Sequence, residues 1–264
     1  MLELNTKIDY LQDNKSFVQL VDKMEIDAAP KVVNAARQSY GAKSEEFLEK
    51  DKKLTGFLWN EEHTSPFRHT YFTLNIRAPL FLFNQLKKYQ VGSVFRSFEI
   101  DGENVRLDLV DHFYDTDKGC SWNELSGRYK QTSTEFYIPK ELRSNPPHGN
   151  KQASSEYLNP LSEWTADFMY PEEILFEFES HCRESLFLYN QMIKNGVAKE
   201  IARMIMPQNI YTEASWTVSL QAMIHFLHQR LKPDAQWEIR QLAEGVYSIF
   251  KPILDKLGLS KEDL

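Results

Sequence analysis

The chain has 264 residues, a net charge of −7, 42% apolar and 13% aromatic side chains, and only two cysteines, Cys120 and Cys182. Length and aromatic content suit one or two globular domains and exclude wholesale disorder, and two cysteines exclude a disulfide framework or a Cys-rich zinc module. The acidic balance argues against a nucleic acid polymer as partner, and no 18-residue apolar run or apolar leader is present, so no membrane and a reducing, cytoplasmic setting are expected.

The residue pattern predicts a strand or short helix over residues 17–24 and a helix over 31–38. An amphipathic helix is expected over 48–59, with Leu54, Phe57 and Leu58 on its inner face. A polar break at Glu61 to Pro66 then precedes a strand over 71–76, rich in aromatic and β-branched residues. Pro79 suits the first turn of a helix running to about Tyr89. Residues 93–120 read as an inserted hairpin or lid, with Asp101-Gly102 at its tip, because Asp-Gly adopts positive φ at little cost. Residues 140–162, with four prolines and glycines close together, form a loop. The remainder reads as helical, with helices over 172–194 (opened by Pro171, closed by Asn195-Gly196), 197–206, 217–230 and 236–257. The sum is an α+β fold in one domain, 1–264, with a sheet flanked by helices and a helical C-terminal half.

Polar residues interrupt this apolar pattern in three places. Ser126, Gly127 and Arg128 offer a hydroxyl, backbone N–H groups and a bidentate cation to a phosphate. A helical Glu124–Arg128 ion pair explains the same residues without a ligand. Arg203 and Arg230 lie inside apolar helices, where an arginine must find an anion or carbonyls, and a structural ion pair with an acid explains them without a ligand. His63 and His69 flank Ser65-Pro66-Phe67, and lone histidines are commonly structural. Cys120 is a nucleophile by chemistry but has no His motif around it, so a plain loop thiol fits better. No His pair shows metal spacing with a third ligand, so no metal is expected.

In order along the chain, these segments resemble the flavin-dependent thymidylate synthases. Ser121-Trp122-Asn123-Glu124-Leu125-Ser126-Gly127-Arg128-Tyr129 matches the second half of that family's signature throughout. Also family-like are His63-Thr64-Ser65-Pro66-Phe67-Arg68-His69, Ala78-Pro79-Leu80-Phe81, Thr134-Glu135-Phe136-Tyr137-Ile138-Pro139, Ala202-Arg203 with Pro207, and Ala235-Gln236-Trp237-Glu238-Ile239. The first half departs: the family's Arg-His-Arg is Lys88-Tyr89-Gln90 here. Val91 and Asn123 are 32 positions apart, where the family pattern has four, so an insertion of about 28 residues occupies roughly 94–121. The Lys-aromatic-Gln form resembles a divergent branch found in phage, which suggests a phage origin and a host-cytoplasm location.

The resemblance implies roles residue by residue. Gln85, Lys88, Glu124, Ser126, Gly127 and Arg128 would bind dUMP, with Ser126 and Arg128 chiefly at its phosphate. Arg203 would reach that phosphate from a neighbouring subunit of a homotetramer, and Arg230 would face the uracil ring. Ser65, Lys88, Tyr89, Gln90 and Glu124 would lie at the FAD, together with Ser219, Gln221 and His225, where the family tends to have Asn, Arg and Asn. The cation lost at Gln221 would be replaced from the insertion, for example by Arg96 or Arg106. His63 would sit near flavin and folate, and Arg230, Ser126 and His63 would take part in catalysis. The implied reaction is reductive methylation of dUMP to dTMP with methylenetetrahydrofolate, FAD and NADPH, the flavin carrying the chemistry and the protein positioning the reactants. Two alternatives are a flavin- and folate-dependent dUMP hydroxymethylase for phage DNA and a nucleotide-binding homologue that has lost its flavin.

Overall fold

The structure is a computed structural model that describes residues 2–24, 27–88, 95–100, 103–108, 120–126, 133–144 and 170–263. Its centre is the pairing of two nine-residue strands, β3 (Tyr71–Pro79) and β7 (Tyr211–Ser219), in unbroken antiparallel register from Tyr71 opposite Ser219 to Pro79 opposite Tyr211. Side chains alternate across a strand. Phe72, Leu74, Ile76, Trp216 and Val218 therefore face the core, while Thr73 meets Thr217 and Asn75 meets Ser215 on the other face, at 2.9 and 2.6 Å. The sheet extends through β2 (Phe17–Lys23) and β1 (Lys7–Ile8) on one side and β6 (Cys120–Glu124) on the other, in the order β1-β2-β3-β7-β6, every described pairing being antiparallel. The expected sheet flanked by helices is thus antiparallel among the described residues.

Helices α1 (Ala28–Arg37), α2 (Glu49–Asn60), α3 (Leu80–Leu86), α6 (Leu220–Arg230) and α7 (Trp237–Leu257) surround the inner face. On α7, Ile239, Leu242, Val246, Ile249, Phe250, Ile253, Leu254 and Leu257 are among the residues buried at helical spacing. Gly245 lets α7 lie close on the sheet: a Cβ there would stand 3.1 Å from Val18 Cγ1 and 3.3 Å from Tyr10 Cβ. Phe72 and Phe250 pack edge to face at 4.8 Å. Trp122 of β6 stacks on Trp216 at 5.1 Å, a contact that contributes about 1 kcal/mol beyond burial. Two further helices, α4 (Pro171–Lys194) and α5 (Lys199–Ala202), leave Phe176, Phe187 and Leu188 exposed, as is Met204 in the 3-10 turn after α5.

Several expectations change. Residues 217–219 belong to β7, not to a helix, because Trp216 and Val218 alternate inward with Thr217 outward. The helix starts only where the Ser219 hydroxyl accepts from the Ala222 amide at 3.2 Å. Pro79 ends β3 and precedes α3, which stops at Leu86 rather than near Tyr89. The helix expected over 197–206 is only α5 and a 3-10 turn, Arg203–Ile205. On α2 the inner face is Asp51, Thr55 and Leu58, while Phe57 is 56% exposed. Asp51 is fully buried because it ion-pairs with Arg37 and accepts the Leu48 amide at 2.8 Å, closing the helix start.

A hairpin lies within this stretch: β4 (Phe95–Ile100) and β5 (Glu103–Asp108) pair from Phe95 opposite Asp108 to Ile100 opposite Glu103, a register that leaves a two-residue connection. Asp101 and Gly102 lie outside the described residues. Cys120 and Ser121, assigned to the insertion from sequence, instead belong to the main sheet, opposite Val218 and Thr217.

Candidate active site

Three elements converge near the C-terminal end of α3. Gln85, in its last turn, donates from Nε2 to Oε1 of Gln236 at 2.6 Å, which ties α3 to the residue preceding α7. Lys87, one residue past α3, pairs with Glu124 at the end of β6. Arg230 occupies the last turn of α6, where the negative end of the helix holds a cation, six residues before Gln236. Glu124 is a strand residue, so the helical Glu124–Arg128 pairing is not the explanation of this segment, and its partner is Lys87, which the sequence reading had not assigned to the site. Lys88 is exposed and Ser126 half-buried. Tyr89, Gln90, Gly127 and Arg128 lie outside the described residues.

A buried polar relay lies behind Gln85. Gln236 Nε2 donates to Oε2 of Glu238 at 3.0 Å. Oε1 of Glu238 accepts from the Tyr137 hydroxyl at 3.0 Å and pairs with Arg143. Burial, then the Glu238 charge, push the Tyr137 phenol well above its ordinary range, so it remains a donor. Tyr137 and Arg143 also line a cavity of about 940 Å³, together with Tyr10, Asp13, Trp237 and Arg240.

The second group gathers at the other end of α6. Gln221, in the first turn, accepts from Arg68 Nε at 2.6 Å and donates to the Thr64 hydroxyl at 2.6 Å. The 3-10 turn Ser65–His69 is thereby fixed against the helix, with Ser65 and His63 exposed beside it. The His63 amide donates to the Leu58 carbonyl at 2.8 Å, so the chain turns back at the end of α2. His225 follows Gln221 by one helical turn and shares its face. Partial desolvation of the ring, then His228 and Lys232, lower its pKa and keep the imidazole neutral near pH 7. Ser219 is fully buried and its hydroxyl caps α6. Gln221 and Arg230 are separated by roughly 13 Å along the helix axis, at 1.5 Å per residue.

Arg68 was not singled out from sequence. Its position in His63-Thr64-Ser65-Pro66-Phe67-Arg68-His69 is local, and only the β7–α6 geometry brings it to Gln221. Its guanidinium, the Gln221 amide and the Thr64 hydroxyl form a group of donors able to hold an anion, with a guanidinium beside Gln221. The side chains of Arg96 and Arg106 lie outside what is described. Arg203 is exposed on the surface that carries Ile201 and Met204, away from both groups in sequence. Cys182 is buried against Asn209, and burial raises its thiol pKa, which disfavours the thiolate.

A family model described as thymidylate synthase complementing protein matches residues 19–254. A flavin-dependent thymidylate synthase of Thermus thermophilus is 35% identical over 238 residues, 90% of this chain and 72% of that protein. One from Thermosipho africanus is 32% identical over 244 residues, 92% of this chain and 90% of the relative. Among solved structures, a UMP/dUMP methylase, PolB of Streptomyces cacaoi, bound with 5-Br dUMP, is similar with a TM-score of 0.65. It is 24% identical and is matched over 92% of its length and 91% of this chain, a likeness of fold. Among the described residues no helix is long and apolar enough to cross a membrane.

Proposed function

The chain belongs to the family of flavin-dependent thymidylate synthases, which are methyltransferases, and from that premise we propose that the cluster around Gln85, Glu124 and Arg230 binds dUMP for methylation to dTMP. The convergence of α3, β6 and the α6–α7 connection through the Gln85–Gln236 and Lys87–Glu124 contacts is the observation that carries this assignment. Gln85, Lys88, Glu124, Ser126, Gly127 and Arg128 hold the nucleotide, with Ser126 and Arg128 at its phosphate. Arg230 faces the pyrimidine and stabilises negative charge on its N3 side, which raises electron density at C5, the carbon that is methylated. A cation placed before the reaction at the site of developing charge needs no reorganisation during it.

The family's flavin dependence implies FAD. Arg68, Gln221 and Thr64 suit its diphosphate, and His225 lies on the same face of α6 as a neutral hydrogen-bonding group. Ser65, Lys88, Tyr89, Gln90 and Glu124 complete the flavin side, and His63 stands between flavin and folate. Ser219, as the buried cap of α6, acts there by holding Gln221 in place. FAD held there would, once reduced with the reducing equivalents of NADPH, supply the hydride that completes the methyl group, with methylenetetrahydrofolate as the carbon donor. Because the named relatives are thymidylate synthases, neither hydroxymethylation nor a flavin-free role is favoured.

The exposed Phe176, Phe187, Leu188 and Met204 support burial between copies of this chain, since scattered exposure is ordinary but a group on adjoining helices is not. A homotetramer in which Arg203 reaches a neighbour's nucleotide phosphate accounts for both this face and the exposed arginine. The Lys88-Tyr89-Gln90 form and the inserted hairpin support a phage-like branch working in a host cytoplasm.

The test is the mass of the nucleotide formed from dUMP with FAD, NADPH and methylenetetrahydrofolate, each omitted in turn. A methylated product that requires every component is expected. A hydroxymethylated product or unchanged dUMP would overturn the assignment.

A further inference from the structure

Glu238 is 2% exposed, yet no described contact gives it a ligand-facing role. One of its oxygens is taken by Tyr137 and Arg143, and the other accepts from Gln236 Nε2 at 3.0 Å. A carboxylate paired with a guanidinium accepts hydrogen bonds and cannot donate them. That fact alone fixes which way round the Gln236 amide stands: nitrogen toward Glu238, oxygen away. The Gln236 oxygen can only accept in turn, so Gln85 must turn its own amide nitrogen to it, as the 2.6 Å contact has it. The carbonyl oxygen of Gln85 is then the atom that Gln236 does not engage.

We infer that Glu238 is a positioning residue for the nucleotide: through Gln236 it sets the polarity of Gln85, so that Gln85 meets a pyrimidine nucleotide with a hydrogen-bond acceptor. The inference rests on Gln85 contacting dUMP, as proposed above. A phosphate dianion offers no donor to a carbonyl oxygen. The matching group on the nucleotide is a sugar hydroxyl or the ring N3–H. Without the buried charge, an amide pair such as Gln85–Gln236 could settle in either polarity, and half of its arrangements would present the wrong atom. A buried acid placed two residues from the amide it orients removes that ambiguity before substrate arrives.

The experiment is a double-mutant cycle read as the dUMP dissociation constant by calorimetry, with thermal midpoints taken on the same preparations to establish folding. Gln236→Met keeps the volume and removes both relay bonds, leaving Glu238 with Tyr137 and Arg143. It is expected to weaken dUMP roughly fivefold, the order of one neutral hydrogen bond, and to raise KM with kcat little changed. In a Gln85→Ala background the same substitution should have no further effect, because its action passes through Gln85. An undiminished further loss in the double variant, or a normal dUMP affinity in Gln236→Met beside a weakened Gln85→Ala, overturns the relay and leaves the site assignment standing. Unchanged dUMP affinity in Gln85→Ala overturns the site assignment and the relay with it. The 3′-deoxy and N3-methyl derivatives of dUMP identify the donor. For the one that Gln85 accepts, the affinity lost in the wild-type protein should be absent in Gln85→Ala. A loss undiminished for both overturns the acceptor polarity.

Discussion

Arg68 donates from Nε to the side-chain oxygen of Gln221 at 2.6 Å, across 153 residues of sequence. The contact sets a cation beside the first turn of α6, where backbone N–H groups already make the local potential positive. Two positive features side by side are unfavourable alone and favourable around an anion.

Arg68→Ala is therefore expected to weaken FAD binding by about tenfold, the scale of one charge-assisted hydrogen bond. Gln221→Arg in that background should recover most of the loss, since it returns a guanidinium to the same place. Fluorescence quenching of FAD on titration with protein measures both. An unchanged affinity in Arg68→Ala would remove the residue from the flavin site.

Arg230→Ala is expected to lower kcat/KM for dTMP formation by a factor of about 100 to 1,000, the usual loss when one donor to developing charge is removed. Arg230→Lys keeps the charge but loses the planar fork and should recover only part of it. If the loss were entirely in dUMP affinity, with kcat preserved, Arg230 would be a ground-state contact alone.

Asp51→Asn should destabilise the fold by about 2 kcal/mol, because Arg37 loses its buried partner while the amide retains part of the helix-start geometry. Urea unfolding checks this, with a lower midpoint at unchanged slope expected. The lesion lies on α2, outside the proposed binding residues.

His225 gives a pH signature. Its folded-state pKa lies below the ordinary value of about 6.5, so the unfolded chain binds the proton more readily. The contribution to stability is present above about pH 6.5 and is lost as pH falls toward the lowered folded-state value. His225→Gln should flatten the fall in thermal midpoint over that acidic window. An identical profile in the variant would assign the fall to other groups.

The ordinary elements were legible in the residue pattern. The strand at 71–76, the long helix opened by Pro171 and closed at Gly196, and the hairpin within 93–120 all announce themselves through local chemistry. The missed strand β7 was also written in sequence: Trp216, Thr217 and Val218 alternate inward and outward, but the helical run of Leu220–Arg230 beside them drew the boundary three residues too early. Phe57 was misplaced because apolarity alone was read as burial, whereas the helix turns the charged Asp51 inward to meet Arg37. The site was legible only in part for a different reason. The Lys87–Glu124, Arg68–Gln221 and Gln85–Gln236 contacts join residues 37, 153 and 151 positions apart, and no local pattern encodes such meetings.

The Lys87–Glu124 pair also closes the stem of everything between α3 and β6. Because loop-closure entropy grows only with the logarithm of length, each doubling of the chain between them costs only about 0.6 kcal/mol. The tie between α3 and β6 is thus little affected by the length of this excursion. Evolution is free to exchange the module there, in length and in sequence, while Glu124 keeps its address at the end of β6.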